Sequence, residues 1–274
     1  MHSEVKHFSD LETMSQAAAK VIAQRVQEKV NERGLFTLVL SGGNTPRLLY
    51  EILSAPPFLN DFPWSHIHFF WGDERAVPKN YPESNFGLAD QNLLSRIKVP
   101  KPNIHRIPAE KGEWAAGEYE REIQTFFDST YPVPSEKPFL ALELQNPPNP
   151  PLIKEGKGGF NEEKSKVPSF DLVLLGLGRD GHTASLFPGD PALEEKQHWT
   201  AWVPKPGQPP DHPRITLTLP ILNQAEEVLF LVAGQEKQGI FRTILENPSK
   251  AQQCYPAARV RPKERLSWFI TISS

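Results

Sequence analysis

This chain of 274 residues has a single cysteine, no excess of positive charge and no long apolar run. Cys254 is its one cysteine, so no disulfide can form within the chain and a reducing compartment is expected. The 33 acidic side chains outnumber the 30 basic ones, which leaves too little positive charge to bind a phosphate backbone. No window approaches the roughly 18 apolar residues of a membrane span, and the first residues contain no signal-like segment. These absences predict a soluble, cytoplasmic protein that binds neither nucleic acid nor a membrane.

Two motifs of common enzyme classes are also missing. No G-x-x-x-x-G-K-[ST] loop occurs, which disfavours hydrolysis of nucleoside triphosphates, and no G-x-S-x-G elbow occurs, which disfavours a serine nucleophile. Gly176, Gly178 and Gly181 formally match G-x-G-x-x-G, but Pro188 and Gly189 stop any helix soon afterwards. No following strand ends in the acidic residue that a dinucleotide site needs, so NAD or NADP binding is disfavoured.

Apolar runs and helix-like segments alternate along most of the chain. Such alternation predicts crossover connections on a largely parallel sheet, and the length suits one large α/β domain. We therefore expect residues 1–274 to form a single three-layer α/β/α, Rossmann-like domain whose ligand lies at the carboxyl ends of the strands. The predicted strands are 35–40, 67–71, 171–175, 215–219, 228–232 and 266–272, and the predicted helices are 9–33, 46–53, 85–97, 113–127 and 235–245.

Residues 132–168 interrupt this alternation. The segment holds 8 of the chain's 28 prolines and is almost free of large apolar side chains over much of its length. It cannot build a core, so its composition predicts an exposed, flexible insertion within the domain rather than a second domain. A proline-rich binding site for a partner is the alternative.

The loop after the predicted strand 35–40 has the composition of a phosphate cradle. Paired glycines let backbone N–H groups approach a ligand, and a helix N-terminus that begins near Pro46 attracts anions. A simple tight turn is the alternative. The residues of this loop are Ser41, Gly42, Gly43, Asn44 and Thr45.

The predicted strand 67–71 ends in a charged run over 73–75. Charged residues at the end of an apolar strand are not core material, and their position favours the lining of a site over a solvated loop. His66 and His68 are two residues apart on this strand and would share a face, which raises a metal site as an alternative. No third ligand follows at a recognisable spacing, so structural histidines are favoured.

Three further residues are placed for chemistry or anion binding. His182 follows a predicted strand and stands two residues after Asp180, although a lone histidine there could be structural. Arg214 opens the predicted strand RITLTLP, and Lys237 begins the helix after VLFLVAG. Both cations would lie at loop ends of the sheet, where they can bind an anionic group, with simple solvation as the alternative.

Taken together, these loops resemble the 6-phosphogluconolactonase branch of the glucosamine-6-phosphate isomerase/6-phosphogluconolactonase family, over nearly the whole chain except the proline-rich segment. In the deaminase branch, the histidine of the D-G-H turn is followed by an I-x-F-N-E-P-like run, whereas this chain continues with T-A-S-L-F-P. The segments that carry the resemblance are SGGNTP, WGDERAVP, SNFGLA, GLGRDGHTASLFPG, RITLTLPILNQAEEVLFLVAGQEK and PAARVRPKERLSWFIT.

The resemblance implies hydrolysis of 6-phospho-D-glucono-1,5-lactone to 6-phospho-D-gluconate, in the oxidative pentose phosphate pathway, without a metal or organic cofactor. His182 would be the general base that takes a proton from water, and Asp180 would orient the imidazole or stabilise its protonated form. Free imidazole has a pKa of about 6.5, which suits general-base catalysis near neutral pH. Arg75 would face the charge that develops on the lactone oxygen, and Asp73 would hold Arg75 or a sugar hydroxyl.

The substrate phosphate would rest on the backbone of residues 41–45, with Arg214 and Lys237 closing over it. Arg47 and Arg179 are further cations near these loops. Ser185 lies three residues after His182 but has no nucleophile role in the family, so direct attack by water is favoured. The expected partner is a small phosphorylated sugar lactone, and we expect a monomer or weak homo-oligomer.

The sequence leaves two other functions open. The chain could be a sugar-phosphate isomerase or deaminase that works through an enediolate, with Asp73 as the base. It could also be a non-catalytic sensor of sugar phosphates, although a sensor needs the phosphate cradle and not the base. The missing N-E-P run argues against the first function, and the presence of His182, Asp180 and Arg75 argues against the second.

Overall fold

A six-stranded, fully parallel sheet forms the centre of the molecule in a computed structural model that describes residues 2–130, 167–206 and 211–271. The strands of the described part are β1 (His2–Phe8), β2 (Phe36–Leu40), β3 (Ile67–Trp71), β4 (Asp73–Arg75), β5 (Leu172–Gly176), β6 (Thr200–Val203), β7 (Arg214–Leu217), β8 (Glu227–Ala233) and β9 (Arg265–Thr271). The order across the large sheet is β1-β9-β8-β5-β2-β3. Helices cover both sides of this sheet, as predicted for a three-layer α/β/α domain.

The helices pack on this sheet through apolar faces. In the longest, Met14, Ala18, Ile22 and Val26 follow one another at four-residue spacing and are all buried. Among the described residues, no helix is long and apolar enough to cross a membrane. The helices of the described part are α1 (Leu11–Arg33), α2 (Thr45–Leu53), α3 (Phe58–Asp61), α4 (Asn85–Asn92), α5 (Ala115–Thr130), α6 (Leu219–Gln224), α7 (Gln238–Glu246) and α8 (Pro248–Cys254).

Strand order reverses between β2 and β5, and this reversal creates the crevice where the site lies. The chain passes from β2 to its neighbour β3 on one side, whereas β5 is followed by β8 and then β9 on the other. Loops that leave adjacent parallel strands in opposite directions leave a gap at the carboxyl ends of those strands. The predicted phosphate loop follows β2, and the loop with His182 follows β5, so both border this gap.

A second, three-stranded sheet corrects part of the prediction. β4, β7 and β6 pair in the order β4-β7-β6, and both pairings are antiparallel. The predicted strand 215–219 is therefore not part of the parallel sheet, and it ends at Leu217 because Leu219 begins α6. The charged run 73–75 is β4 rather than a loop. Hydrophobic periodicity could not distinguish the two sheets, since β7 is buried throughout.

Other boundaries differ from the predictions at the ends of elements. β1 was not predicted because its side chains are mostly exposed, yet it pairs with β9 along its full length. β6 and α8 were not predicted either. The predicted helix 85–97 ends at Asn92, and the predicted helix 235–245 begins as a 3-10 turn. The predicted insertion 132–168 lies outside the described residues except for its last two, of which Pro168 is buried.

His66 and His68 do not share a strand face, which corrects the geometry behind the alternative of a metal site. His66 lies in a 3-10 turn before β3, and its Nδ1 is 2.7 Å from the carbonyl of Gly34. The Nδ1 of His68 is 3.0 Å from Nε2 of His105, whose Nδ1 is 2.7 Å from Glu122. In the part of the chain that the structure describes, no three or more His, Cys, Asp or Glu side chains group as a metal site.

The histidine pair makes folding sensitive to pH. Burial, together with the charge of His105, lowers the pKa of His68 from 6.5 to about 4. Between these values the unfolded chain binds a proton that the folded chain does not, so stability falls as the pH falls through this range. Glutamine cannot take up that proton. We therefore expect the melting temperature of His68→Gln to fall less than that of the wild type when the pH is lowered from about 7 to about 5. Parallel losses measured by scanning calorimetry would contradict this account.

Candidate active site

Two adjoining cavities, of about 190 Å³ and 640 Å³, lie at the carboxyl ends of the central strands. They share several lining residues, so they form one cleft with an inner and an outer part. The structure brings every predicted site residue to this cleft. The inner part is lined by Ser41, Gly42, Gly43, Asn44, Thr45, Asp73, Arg75, His182, Arg214 and Lys237, among others, and Asp180 lines the outer part.

The loop after β2 is anchored from below by a buried tyrosine. Ser41 N–H donates to Tyr50 Oη at 3.1 Å, and Tyr50 O–H donates to the carbonyl of Ser41 at 2.6 Å. Burial raises the pKa of Tyr50, so it stays a neutral donor. Gly43 has a φ of 92°, a left-handed conformation that favours glycine. The Asn44 side chain makes no cap bond to α2, so the start of this helix faces the cleft without a side-chain cap.

His182 and Asp180 form a hydrogen-bonded pair at the mouth of the loop after β5. Asp180 Oδ1 is 2.5 Å from His182 Nδ1 and 3.1 Å from the backbone nitrogen of His182. Burial raises the pKa of Asp180, but the hydrogen bond and charge of His182 outweigh it and hold the pKa below its ordinary value. An ionised carboxylate only accepts, so Nδ1 donates to Asp180 and Nε2 is the nitrogen left for a proton transfer.

The glycines of this loop make room for side chains rather than for a dinucleotide. A Cβ on Gly178 would lie 2.1 Å from His182 Nδ1, and a Cβ on Gly181 would lie 2.4 Å from the ring of Tyr255. Residues 177–190 are all described and contain no helix, so the arrangement that a dinucleotide fingerprint needs does not follow Gly176. Close packing around the histidine explains the motif.

Asp73 is buried and held by residues other than the predicted Arg75. Its Oδ2 accepts from Ser185 Oγ at 2.6 Å, and its Oδ1 accepts from Asn85 Nδ2 at 3.1 Å. Arg75 instead donates from Nη1 to the carbonyl of Glu83 at 2.5 Å. Of the two roles that the resemblance implies for Asp73, holding Arg75 is wrong, because Asp73 is bonded to Ser185 and Asn85 while Arg75 is bonded to Glu83. Holding a sugar hydroxyl stays a prediction.

The bond to Asp73 also defines the state of Ser185. Its side chain is fully buried, and its hydroxyl is committed to a carboxylate that is itself 7% exposed. The backbone nitrogen of Ser185 donates to Thr216 Oγ1 on β7 at 3.1 Å. Ser185 therefore fastens the His182 loop to β4 and β7 of the antiparallel sheet, which supports the expectation that it is not a nucleophile.

The four candidate cations differ in their access to the cleft. Arg214 and Lys237 line both of its parts, and burial lowers the pKa of each. Arg179 lines only the outer part, with an 82% exposed side chain 3.6 Å from Glu236. Arg47 is exposed on α2 and is not among the lining residues of either part. Arg214 and Lys237 are thus the cations placed to meet an anion inside the cleft.

Asn85 is the main site residue that the sequence analysis did not single out. It begins α4, is 1% exposed, and lines the inner cavity beside Gly42 and Asp73. The Ser-Asn pair at a predicted helix start lies in a segment that carries the family resemblance, so a signal was present. Helix-start chemistry explains the serine, whose Oγ accepts from Gly87 N–H at 3.0 Å, but it does not explain a buried asparagine.

Comparisons with known proteins find relatives of this chain over nearly its whole length. The sequence profile of the family described as glucosamine-6-phosphate isomerases/6-phosphogluconolactonase matches residues 9–268. A 6-phosphogluconolactonase of Synechocystis is 36% identical over 272 residues, which cover 98% of this chain and 96% of the relative. The crystal structure of 6-phosphogluconolactonase from Thermotoga maritima superposes with a TM-score of 0.74 at 30% identity, covering 98% of this chain and 100% of that one. A monomeric glucosamine-6-phosphate deaminase, 18% identical with a TM-score of 0.70, shares the fold.

Glu74 is a buried carboxylate that holds the start of α4 next to the cleft. Its two oxygens accept hydrogen bonds from three backbone N–H groups and one hydroxyl, at 2.8 to 3.0 Å. Burial raises its pKa and these bonds oppose the rise. The donors belong to Arg75, Ser84, Asn85 and Phe86.

We expect Glu74→Gln to destabilise the fold by about 1–3 kcal/mol, because the amide turns an N–H group toward buried donors. Urea unfolding followed by fluorescence measures the loss. Glu246→Gln, on the exposed end of α7, is the matched control and should change stability by less than about 0.5 kcal/mol. Equal unfolding midpoints for the two variants would show that the four bonds do not hold the site.

Proposed function

The chain belongs to the glucosamine-6-phosphate isomerase/6-phosphogluconolactonase family, and we propose that it hydrolyses 6-phospho-D-glucono-1,5-lactone to 6-phospho-D-gluconate in the oxidative pentose phosphate pathway. The observation that carries this proposal is the His182–Asp180 pair at 2.5 Å, in a cleft that also holds a glycine-rich loop and two cations. A general base and an anion site within one cleft suit hydrolysis of a phosphorylated substrate.

His182 acts as the general base. Its Nε2 takes a proton from a water molecule as the water oxygen attacks the lactone carbonyl carbon. Asp180 accepts from Nδ1, keeps the imidazole in the tautomer with a free Nε2, and stabilises the imidazolium that forms. Because the pKa of Asp180 is held low, the carboxylate is ionised when the imidazole needs it.

Arg75 faces the negative charge that develops on the carbonyl oxygen. Its side chain lines both parts of the cleft, and its Nη1 donates to the carbonyl of Glu83. A guanidinium already oriented by that bond stabilises an oxyanion with little reorganisation. In the tetrahedral intermediate, the bond between the former carbonyl carbon and the ring oxygen then breaks. The ring oxygen takes the proton held on His182, and the opened lactone becomes the carboxylic acid.

The phosphate group lies on the loop 41–45 with Arg214 and Lys237 above it. This loop presents backbone at the start of α2, where the dipole and free N–H groups favour an anion. Arg214 also has Asp73 within 4.0 Å, so its position is fixed before the substrate arrives. Arg179 stands at the rim and Arg47 stands outside the cleft, so neither is assigned to the phosphate.

The isomerase or deaminase function is less well supported by this geometry. It would use Asp73 as the base that removes a proton from carbon. Asp73 is buried, and both of its carboxylate oxygens already accept hydrogen bonds from Ser185 and Asn85. A base that is fully engaged in this way is poorly placed to abstract a proton.

We also propose a cytoplasmic location and a monomeric or weakly oligomeric state, with a small phosphorylated lactone and no nucleic acid as partner. The lone cysteine supports a reducing compartment, and the net charge of -3 argues against nucleic acid as a partner. Size-exclusion chromatography with light scattering tests the oligomeric state.

We expect the wild type to open the lactone faster than the spontaneous reaction. In His182→Ala this rate enhancement should be about 10²–10⁴-fold smaller. The lactone is generated in place from glucose 6-phosphate, and product formation is followed continuously. His198→Ala, which removes an exposed histidine, is the control and should keep full activity. An inactive wild type that releases ammonia from glucosamine 6-phosphate would favour the deaminase, and one that only binds sugar phosphates would be a sensor. Equal activity of the two variants would remove His182 as the base.

We expect Lys237→Met to raise KM for the phosphorylated lactone by about 10–100-fold, since it removes one charge-assisted hydrogen bond to phosphate. With unphosphorylated gluconolactone, already a much poorer substrate, the same variant should match the wild type. Arg47→Met serves as the control for a general loss of positive charge and should leave both substrates unaffected. A similar loss with both lactones would show that Lys237 does not bind the phosphate.

A further inference from the structure

Asn85 lies between the phosphate loop and the His182 loop, and the mechanism above does not use it. Its backbone N–H donates to Glu74 Oε1 at 2.8 Å, and its side chain is buried. The side chain therefore has little freedom to turn. What it touches on its two sides determines how the loops of the cleft are spaced.

On one side, the Asn85 amide occupies the space that a side chain at position 42 would need. A Cβ on Gly42 would lie 1.8 Å from Asn85 Oδ1 and 2.2 Å from its Cγ. Gly42, unlike Gly43, is not among the glycines with a left-handed φ, so its backbone conformation is open to other residues. The requirement for glycine at position 42 is therefore a requirement for contact with Asn85.

On the other side, Asn85 is bonded to the residue that holds the His182 loop. Its Nδ2 donates to the carbonyl of Asp73 at 2.8 Å and to Oδ1 of Asp73 at 3.1 Å. Oδ2 of Asp73 accepts in turn from Ser185, three residues after His182. Buried hydrogen bonds of this kind are strong and directional, so they transmit position from one loop to the next.

The side-chain oxygen of Asn85 differs from its side-chain nitrogen in its partners. Asn85 Oδ1 is buried and unpartnered among the described residues, and it faces Gly42. Buried polar atoms are nearly always satisfied, so an exception calls for a reason. The bonds of Nδ2 to Asp73 impose this orientation, because turning the amide over would place its oxygen against two other oxygens.

We propose that Asn85 is a positioning residue that fixes the distance between the phosphate-binding loop and the loop of the catalytic histidine. This role rests on the proposed function and deepens it. Contact with Gly42 places the backbone that receives the phosphate, and the bonds to Asp73 place the region that receives the lactone. The amide thereby matches the cleft to a substrate whose phosphate and reacting carbonyl are a set distance apart.

The two contacts can be separated by substitution. Asn85→Asp keeps the shape against Gly42 but replaces the donor that faces Asp73, so we expect kcat to fall about 100-fold while KM stays within about twofold. Gly42→Ala displaces the loop and should raise KM about 100-fold. In Gly42→Ala/Asn85→Ala the new methyl group fills the space left by the amide. The KM of the double variant should therefore be at least about tenfold lower than that of Gly42→Ala, since the clash at position 42 is removed.

Asn92→Ala is the matched control, because Asn92 is also buried on α4 but its side chain donates to Leu88 within the same helix, at 2.7 Å. It should leave KM and kcat unchanged. Affinity for 6-phospho-D-gluconate, measured by calorimetry, and melting temperature accompany the kinetics. A KM for the double variant no better than for Gly42→Ala would overturn the proposal, as would an Asn85→Asp variant with unchanged kcat.

An inactive wild type would overturn the proposed function by itself. The contact between residues 42 and 85 would then be read from melting temperatures alone. Additive losses in the single and double variants would overturn the positioning role as well, whereas recovery in the double variant would retain the contact.

Discussion

The buried carboxylate of Asp73 is the group on which the rest of the site depends. A charge removed from water is tolerated only where hydrogen bonds and an opposite charge compensate it. Ser185, Asn85 and Arg214 supply these from three separate segments of the chain. Each segment also carries a wall of the cleft, so satisfying this one carboxylate places the walls relative to one another. The same contacts of Asp73 thus stabilise the interior and determine the geometry of the site.

The parallel sheet determines where that carboxylate can act. The carboxyl ends of β2 and β5 flank the point where strand order reverses, and β4, which follows β3, pairs with β7 in the small antiparallel sheet. In this antiparallel register Thr216 lies opposite Asp73 and Arg214 lies opposite Arg75, so Arg214 is the diagonal neighbour of Asp73, with Nη1 4.0 Å from Oδ2. Arg214 is buried on β7, the middle strand of this second sheet.

Three acidic residues near the cleft carry different tasks because their surroundings differ. Asp180 is partly exposed, and the hydrogen bond from His182 holds its pKa low, which suits a group that supports a proton transfer. Asp73 is buried among neutral donors beside one arginine and links loops. Glu74 is also buried, but it accepts mostly from backbone N–H groups and holds the start of α4. Residue type alone does not distinguish these roles, since burial and partners set them.

The sequence by itself determined the fold class, most of the central strands and many of the residues that line the cleft, although not Asn85, because apolar periodicity, paired glycines and charged strand ends are local signals. Tertiary structure alone decided that β7 leaves the parallel sheet, that His68 pairs with His105, that Asp73 binds Ser185 instead of Arg75, and that Asn85 lies against Gly42. Those partners are between 37 and 143 residues apart or depend on strand register. Local spacing carries no information about contacts at that separation, since only the packed chain brings such side chains together.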